Sequence, residues 1–103
     1  MKQTSNNFQS FIKETGEVGV SFMNMVMTQS KNSALDPKTN ELAYISVLAA
    51  VGMVGGIPFH VKHAKSLGAS REEVKSAVLV GLPAVGLIVT EVFDLALASY
   101  DEE

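Results

Sequence analysis

Hydrophobic positions recur every three to four residues along most of the chain, a period that predicts helices rather than strands. Phe8, Phe11 and Ile12 fit one face of a short helix that runs into Gly16 and Gly19. Val18, Phe22, Met25 and Val26 continue the spacing into a second helix ending near Gln29, and the polar stretch Ser30 to Ala34 reads as a loop. Asp36 followed by Pro37 is a helix start. The carboxylate accepts from the unpaired N–H groups of the first turn, and the fixed φ of proline suits the first helical position. From there Glu41, Leu42, Ile45, Leu48 and Ala49 extend a helix that stops in Gly52, Gly55 and Gly56.

Pro58 opens the next helix, Phe59 to Leu67, with Gly68 as the residue past its end. Ser70-Arg71-Glu72-Glu73 is a capping box, serine bonding forward to the third helical N–H and glutamate bonding back. The helix it starts runs through Val74, Ala77, Val78 and Gly81. Pro83 breaks the pattern, and a last helix is predicted through Val85, Ile88, Val89, Val92, Phe93 and Leu97. Val78-Leu79-Val80 and Leu87-Ile88-Val89 match buried strands equally well by period alone, but the caps decide for helix and no hairpin dipeptide such as Asn-Gly occurs. With no repeat or linker, the expectation is one all-α domain over residues 1–103, a bundle of about five to six helices.

Hydrophobic residues make up 47% of the chain, enough to exclude disorder, and in so small a domain some of that apolar surface is expected between subunits. A homo-oligomer follows as an expectation. The net charge is −3 with no basic run, which argues against binding nucleic acid. No cysteine is present, so disulfides, zinc–thiolate sites, iron–sulfur clusters and thiol nucleophiles are excluded. The first residues show one lysine and no apolar run after it, unlike a secretory signal, and a cytoplasmic location is expected. Leu42 to Phe59 is uncharged over 18 residues. Its glycines and Pro58 leave only about 13 residues of continuous helix, too short for a ~30 Å hydrocarbon core. A buried core helix, with no membrane association, is the reading.

Few residues offer chemistry. His60 and His63 stand three apart on one short helix, near one face. They read either as a metal pair completed by a third carboxylate such as Glu41, or as one histidine turned inward to a partner and one at the surface. No His-Glu-x-x-His pattern surrounds them, so no metal is expected, and His63 is at most a weak candidate ligand. Glu41, five residues past the Asp36 cap, reads by position as a carboxylate near the positive end of a helix dipole; a buried carboxylate orienting a histidine is the rival reading. Met23, Met25 and Met27 place soft apolar groups on both sides of the second helix, which suits a core or a subunit interface. Asp101-Glu102-Glu103 reads as a solvated acidic terminus.

Leu35-Asp36-Pro37-Lys38-Thr39-Asn40-Glu41-Leu42 and His60-Val61-Lys62-His63-Ala64-Lys65-Ser66-Leu67-Gly68-Ala69-Ser70-Arg71-Glu72-Glu73 together resemble the carboxymuconolactone decarboxylase and alkylhydroperoxidase-D-like superfamily. Gly81-Leu82-Pro83-Ala84 is similar to a later stretch of the same pattern, and the likeness covers roughly Leu35 to the end of the chain. The resemblance implies a helical subunit in trimers or hexamers, with the family's glutamate and histidine at Glu41 and His60. The two cysteine positions of the peroxidase branch fall on Met53 and Gly56. Without thiols no dithiol peroxidase cycle runs, since methionine can form a sulfoxide but cannot close a disulfide.

The decarboxylase branch implies cofactor-free acid–base work on a small carboxylated or carbonyl substrate, with His60 moving a proton and Glu41 orienting it. Leu79 stands where that branch has an aromatic residue, and no arginine lies between Glu41 and Gly68 to clamp a carboxylate; both count against a di-acid lactone. The alternative expectation is a non-catalytic oligomeric scaffold or small-molecule-binding protein derived from the peroxidase fold.

Overall fold

The computed structural model describes residues 4–103, and its described residues form helices and no strands. Six α-helices of nine residues or more are joined by short turns: α1 (Asn6–Glu14), α2 (Glu17–Lys31), α3 (Pro37–Ala50), α4 (Ile57–Ser66), α5 (Arg71–Leu79) and, at the end, α7 (Phe93–Asp101). Between the last two lie the one-turn α6 (Leu82–Val85) and a 3₁₀ segment, Gly86–Val92. The all-α class and the number of main helices agree with the periodicity.

Local chemistry explains the best-placed helix ends. Asp36 is extended and accepts from Thr39 N–H, with Pro37 opening α3. At α5 both halves of the capping box are made: Ser70 accepts from Glu73 N–H at 3.0 Å, and Ser70 N–H donates to the Glu73 carboxylate at 2.9 Å. The end of α4 needs a left-handed residue before Ala69 turns back into the core, and Gly68 supplies it with φ +99°.

The predicted last helix is the clearest departure. The chain from Val85 does not run as one α-helix: Gly86 at φ +82° and ψ −158° interrupts it, and seven residues of 3₁₀ helix follow before α7 begins at Phe93. By length and composition alone Arg71–Asp101 could cross a membrane. Its α-helical pieces are at most nine residues, about 14 Å of rise each, and Gly86 turns the path between them. The other differences are small; α2 runs to Lys31, two residues into the expected loop.

One apolar core is built from α3, α4, α5, the 3₁₀ segment and α7. Ile45, Leu48, Ile57, Val61, Val74, Val78, Val89 and Val92 are its large members, closed by alanines including Ala49, Ala64 and Ala96. Helices α3 and α5 pack side by side, as do α4 and α7. Ser46 Oγ ties the first pair, donating to Ala77 O at 2.7 Å, and Tyr100 OH donates to Ala69 O at 2.7 Å across the other end. Helices α1 and α2 stand apart from this core. They pair with each other through Phe8, Phe11 and Phe22, whose rings lie 5.6–6.4 Å apart. Gly19, the one buried residue of α2, permits the approach, since a Cβ there would lie 3.2 Å from the Ile12 backbone.

Charge collects where α5 meets the chain end. Arg71 donates twice to Asp101, at 2.8 and 2.9 Å, Lys62 pairs with Glu102, and Lys65 donates to Tyr100 O at 2.7 Å. The Asp101 carboxyl is thereby held below its ordinary value by Arg71, Glu73 by the Ser70 N–H and then Lys38, and Asp36 by Thr39. A carboxylate lowered in the folded state stabilises the fold above its unfolded value, and that contribution disappears as pH falls through the lowered folded value. The thermal midpoint is therefore expected to fall between about pH 4.5 and pH 2. In Arg71→Gln the Asp101 share of that fall is absent. The groups are exposed, so the effect is small and shrinks in high salt; scanning calorimetry across that range checks it, and a midpoint independent of pH would contradict it.

Candidate functional site

Glu41 lies in the second turn of α3, and His60 on α4 faces it across the helix pair. The imidazole Nδ1 stands 2.7 Å from Glu41 Oε1. The carboxylate is buried, its side chain 11% exposed, while the His60 ring keeps 22% of its surface open. By position alone Glu41 reads as a carboxylate near the positive end of a helix dipole; the fold has instead the rival arrangement, α4 folding back onto α3 and burying the group against a histidine. A carboxylate only accepts hydrogen bonds, so an ionised Glu41 places the ring proton on Nδ1 and leaves Nε2 with a lone pair.

Three further side chains complete the surroundings. His63, one turn along α4, has Nδ1 3.5 Å from Glu41 Oε2, too long for a hydrogen bond but an ion-pair distance when the ring is protonated. Tyr44 lies one turn after Glu41 on α3, its ring 4.3 Å from the His60 ring, and Phe59 meets His60 edge-on at 5.0 Å. Phe59 also leans on His63 at 5.8 Å. Two aromatic rings thus fix the imidazole plane while the carboxylate fixes its rotation. The sequence reading missed Tyr44 and Phe59; the signal available was Tyr44 at i+3 from Glu41 and Phe59 beside His60.

Among the described residues no three His, Asp or Glu side chains are arranged to hold a metal ion. Both histidines turn Nδ1 toward the same carboxylate, so Glu41 bridges the rings instead of joining them around a cation. Met53 sits at the turn after α3, largely exposed, and Gly56 lies against the site. A Cβ at Gly56 would stand 3.1 Å from Leu48 Cδ1 and 3.8 Å from the His60 ring, so any larger residue there presses on the core leucine. The three methionines of α2 do not enter the core: Met25 and Met27 are about half exposed.

A shallow groove of about 550 Å³ lies between α3 and α5, lined by Leu42, Ala43, Ser46, Ser76, Ala77 and Val80 among others. It follows the opposite flank of α3 from Glu41 and Tyr44, so it does not serve the histidine. Beside His60 the α3 surface is instead a ridge of exposed apolar side chains, Tyr44, Val47 and Val51, continued by Met53 and Val54.

The sequence model of the carboxymuconolactone decarboxylase family matches residues 16–97, from the α1–α2 turn to the middle of α7. No curated protein and no solved structure matches the chain.

Proposed function

The chain belongs to the carboxymuconolactone decarboxylase family, and from that premise we propose that Glu41 and His60 are a cofactor-free proton-transfer pair acting on a small carboxylated or carbonyl substrate. The observation that carries this reading is the 2.7 Å contact between a buried carboxylate and a partly exposed imidazole. His60 is the catalytic residue, through Nε2. Glu41 is a positioning residue: it holds the tautomer and stabilises the imidazolium formed when Nε2 takes a proton. In a decarboxylation Nε2 first takes the proton of the substrate carboxyl; the C–C bond to the carboxylate then breaks, CO₂ leaves, and the electron pair left on carbon takes that proton from Nε2, which returns the ring to its neutral form. The chain has no thiol, so a dithiol peroxide reduction has no nucleophile here.

The protein is proposed to act as a homo-oligomer. The same exposed apolar surface supports the rival reading, a non-catalytic scaffold or small-molecule-binding protein. The test is incubation with a panel of small β-keto acids and unsaturated lactone carboxylates, followed by NMR of the products. Turnover by the wild type that is lost in His60→Gln supports the proton-transfer reading. Turnover that His60→Gln retains, or none on any member of the panel, favours the scaffold.

A further inference from the structure

Helix α2 has no adequate partner within its own chain. Five of its fifteen residues, Val18, Val20, Met25, Val26 and Met27, are large exposed hydrophobics, and Phe22 stays part-exposed where it packs on Phe8 and Phe11 of α1. Between Glu17 and Lys31 it carries no charge, and it contributes nothing to the apolar core. A helix with that surface in water is unfavourable unless something covers it.

The dimensions of the molecule agree. Its accessible surface is 6698 Å², whereas a compact monomer of this mass exposes about 5,600 Å². The excess, about 1,000 Å², is the size of one partner's share of a standard protein interface, about 800 Å². The radius of gyration, 13.9 Å, also exceeds the ~12.8 Å of a compact chain this long.

The second uncovered apolar surface borders the site. Tyr44, Val47 and Val51 form one stripe of α3, and no charged residue occurs from Leu42 to Phe59. Its own α2 makes at most slight contact with α3. The stripe and α2 match in chemistry: both are apolar and helical, and Tyr44, Val47 and Val51 would meet a stretch of α2 with no charged side chain. The Lys62–Glu102 and Arg71–Asp101 pairs lie elsewhere, between α4, α5 and the chain end, Lys38 of α3 pairs with Glu73 on the other flank, and Glu41 is turned to His60. A second copy of this chain therefore supplies the fitting surface.

We propose that α2 of one chain lies across the Tyr44–Val47–Val51 ridge of a second copy and closes the Glu41–His60 site from water. The interface stands on packing alone; its consequence for proton transfer rests on the function proposed above. With the ridge covered, the open part of His60 faces an enclosed, largely apolar space in which a fixed carboxylate–imidazole pair acts more strongly than in water. The site is incomplete in a single chain.

The absence of cysteine makes the test clean, because every disulfide formed comes from an introduced thiol. Met25→Cys is co-expressed with a tagged chain carrying Val47→Cys, both positions being exposed within one chain, and the purified protein is oxidised. A tagged chain with Ser66→Cys, also exposed, serves as control, and circular dichroism checks each preparation for its helices. The expected result is a mixed disulfide between chains at least ~10-fold more abundant for the Met25/Val47 pair than for the Met25/Ser66 pair, with wild type sedimenting as an oligomer. A wild-type monomer at tens of micromolar overturns the proposal, and so does an oligomer in which the two pairs cross-link equally. Neither readout uses activity, so a failure of the proton-transfer reading would leave the cross-link intact.

Discussion

Replacing His60 by glutamine is expected to lower turnover by about 10²–10⁴-fold, the range general acid–base groups contribute. The amide fills much the same space but cannot take up and release a proton at the position of Nε2. Glu41→Ala should fall nearly as far by a different route. It removes the acceptor at 2.7 Å from Nδ1 and leaves a half-buried ring with neither fixed tautomer nor fixed rotation. Glu41→Gln separates the two contributions of the carboxylate, since its amide oxygen still accepts from Nδ1–H but carries no charge. Its activity should lie between wild type and Glu41→Ala. If Glu41→Gln and Glu41→Ala both kept wild-type kcat while His60→Gln lost it, the positioning role of Glu41 would be wrong.

The largest effect on stability is expected at Ile45. Its side chain is fully buried one turn beyond Glu41 on α3, in the middle of the single core. Ile45→Ala removes three carbons from a packed interior and should cost about 2–5 kcal/mol, depending on how far the neighbours collapse. Against a total of about 5–15 kcal/mol for a domain of this size, that is a large share of the folding free energy. Each kcal/mol shifts the midpoint of such a chain by about 4–8 °C, so a drop of at least ~10 °C is expected in a thermal melt. A change within experimental scatter would mean that α3 is not the centre of the core. If subunit association contributes to stability, the midpoint also depends on protein concentration, and the comparison must be made at one concentration.

What the sequence reveals about this fold follows the range of the interactions involved. The starts of α3 and α5 are visible because Asp36–Thr39 and Ser70–Glu73 are contacts within one turn of chain. The end of α4 is visible because the left-handed turn at residue 68 calls for glycine. The segment after Pro83 is not: its apolar residues keep a helical period, while Gly86 and the packing of Val89 and Val92 decide that the backbone tightens into 3₁₀ turns. Nor does spacing show that α2 lacks a place in the core, since the same pattern serves a helix buried in its own chain or in another.

The site divides in the same way. Family resemblance marks Glu41 and His60 as a pair, but the nature of Glu41 depends on a partner 19 residues away. Read locally it is a helix-start carboxylate, and only the return of α4 along α3 buries it. The bridging position of Glu41 between His60 and His63, and the two rings that brace His60, likewise come from that helix pair. His63 illustrates the limit: its spacing from His60 suits a shared metal, and the fold turns both rings to one carboxylate instead.

The most direct test of the central claim is exchange rather than net turnover, because abstraction of a proton from carbon can be seen even when no product forms. Wild-type protein and His60→Gln are incubated in D₂O with small β-keto acids and other carbonyl compounds bearing acidic C–H groups, and deuterium at the α-carbon is followed by NMR against a protein-free control. The account predicts enzyme-dependent exchange on at least one compound, reduced to the control rate by His60→Gln. Exchange that proceeds equally in the variant would contradict it, and would remove His60 as the group that moves the proton.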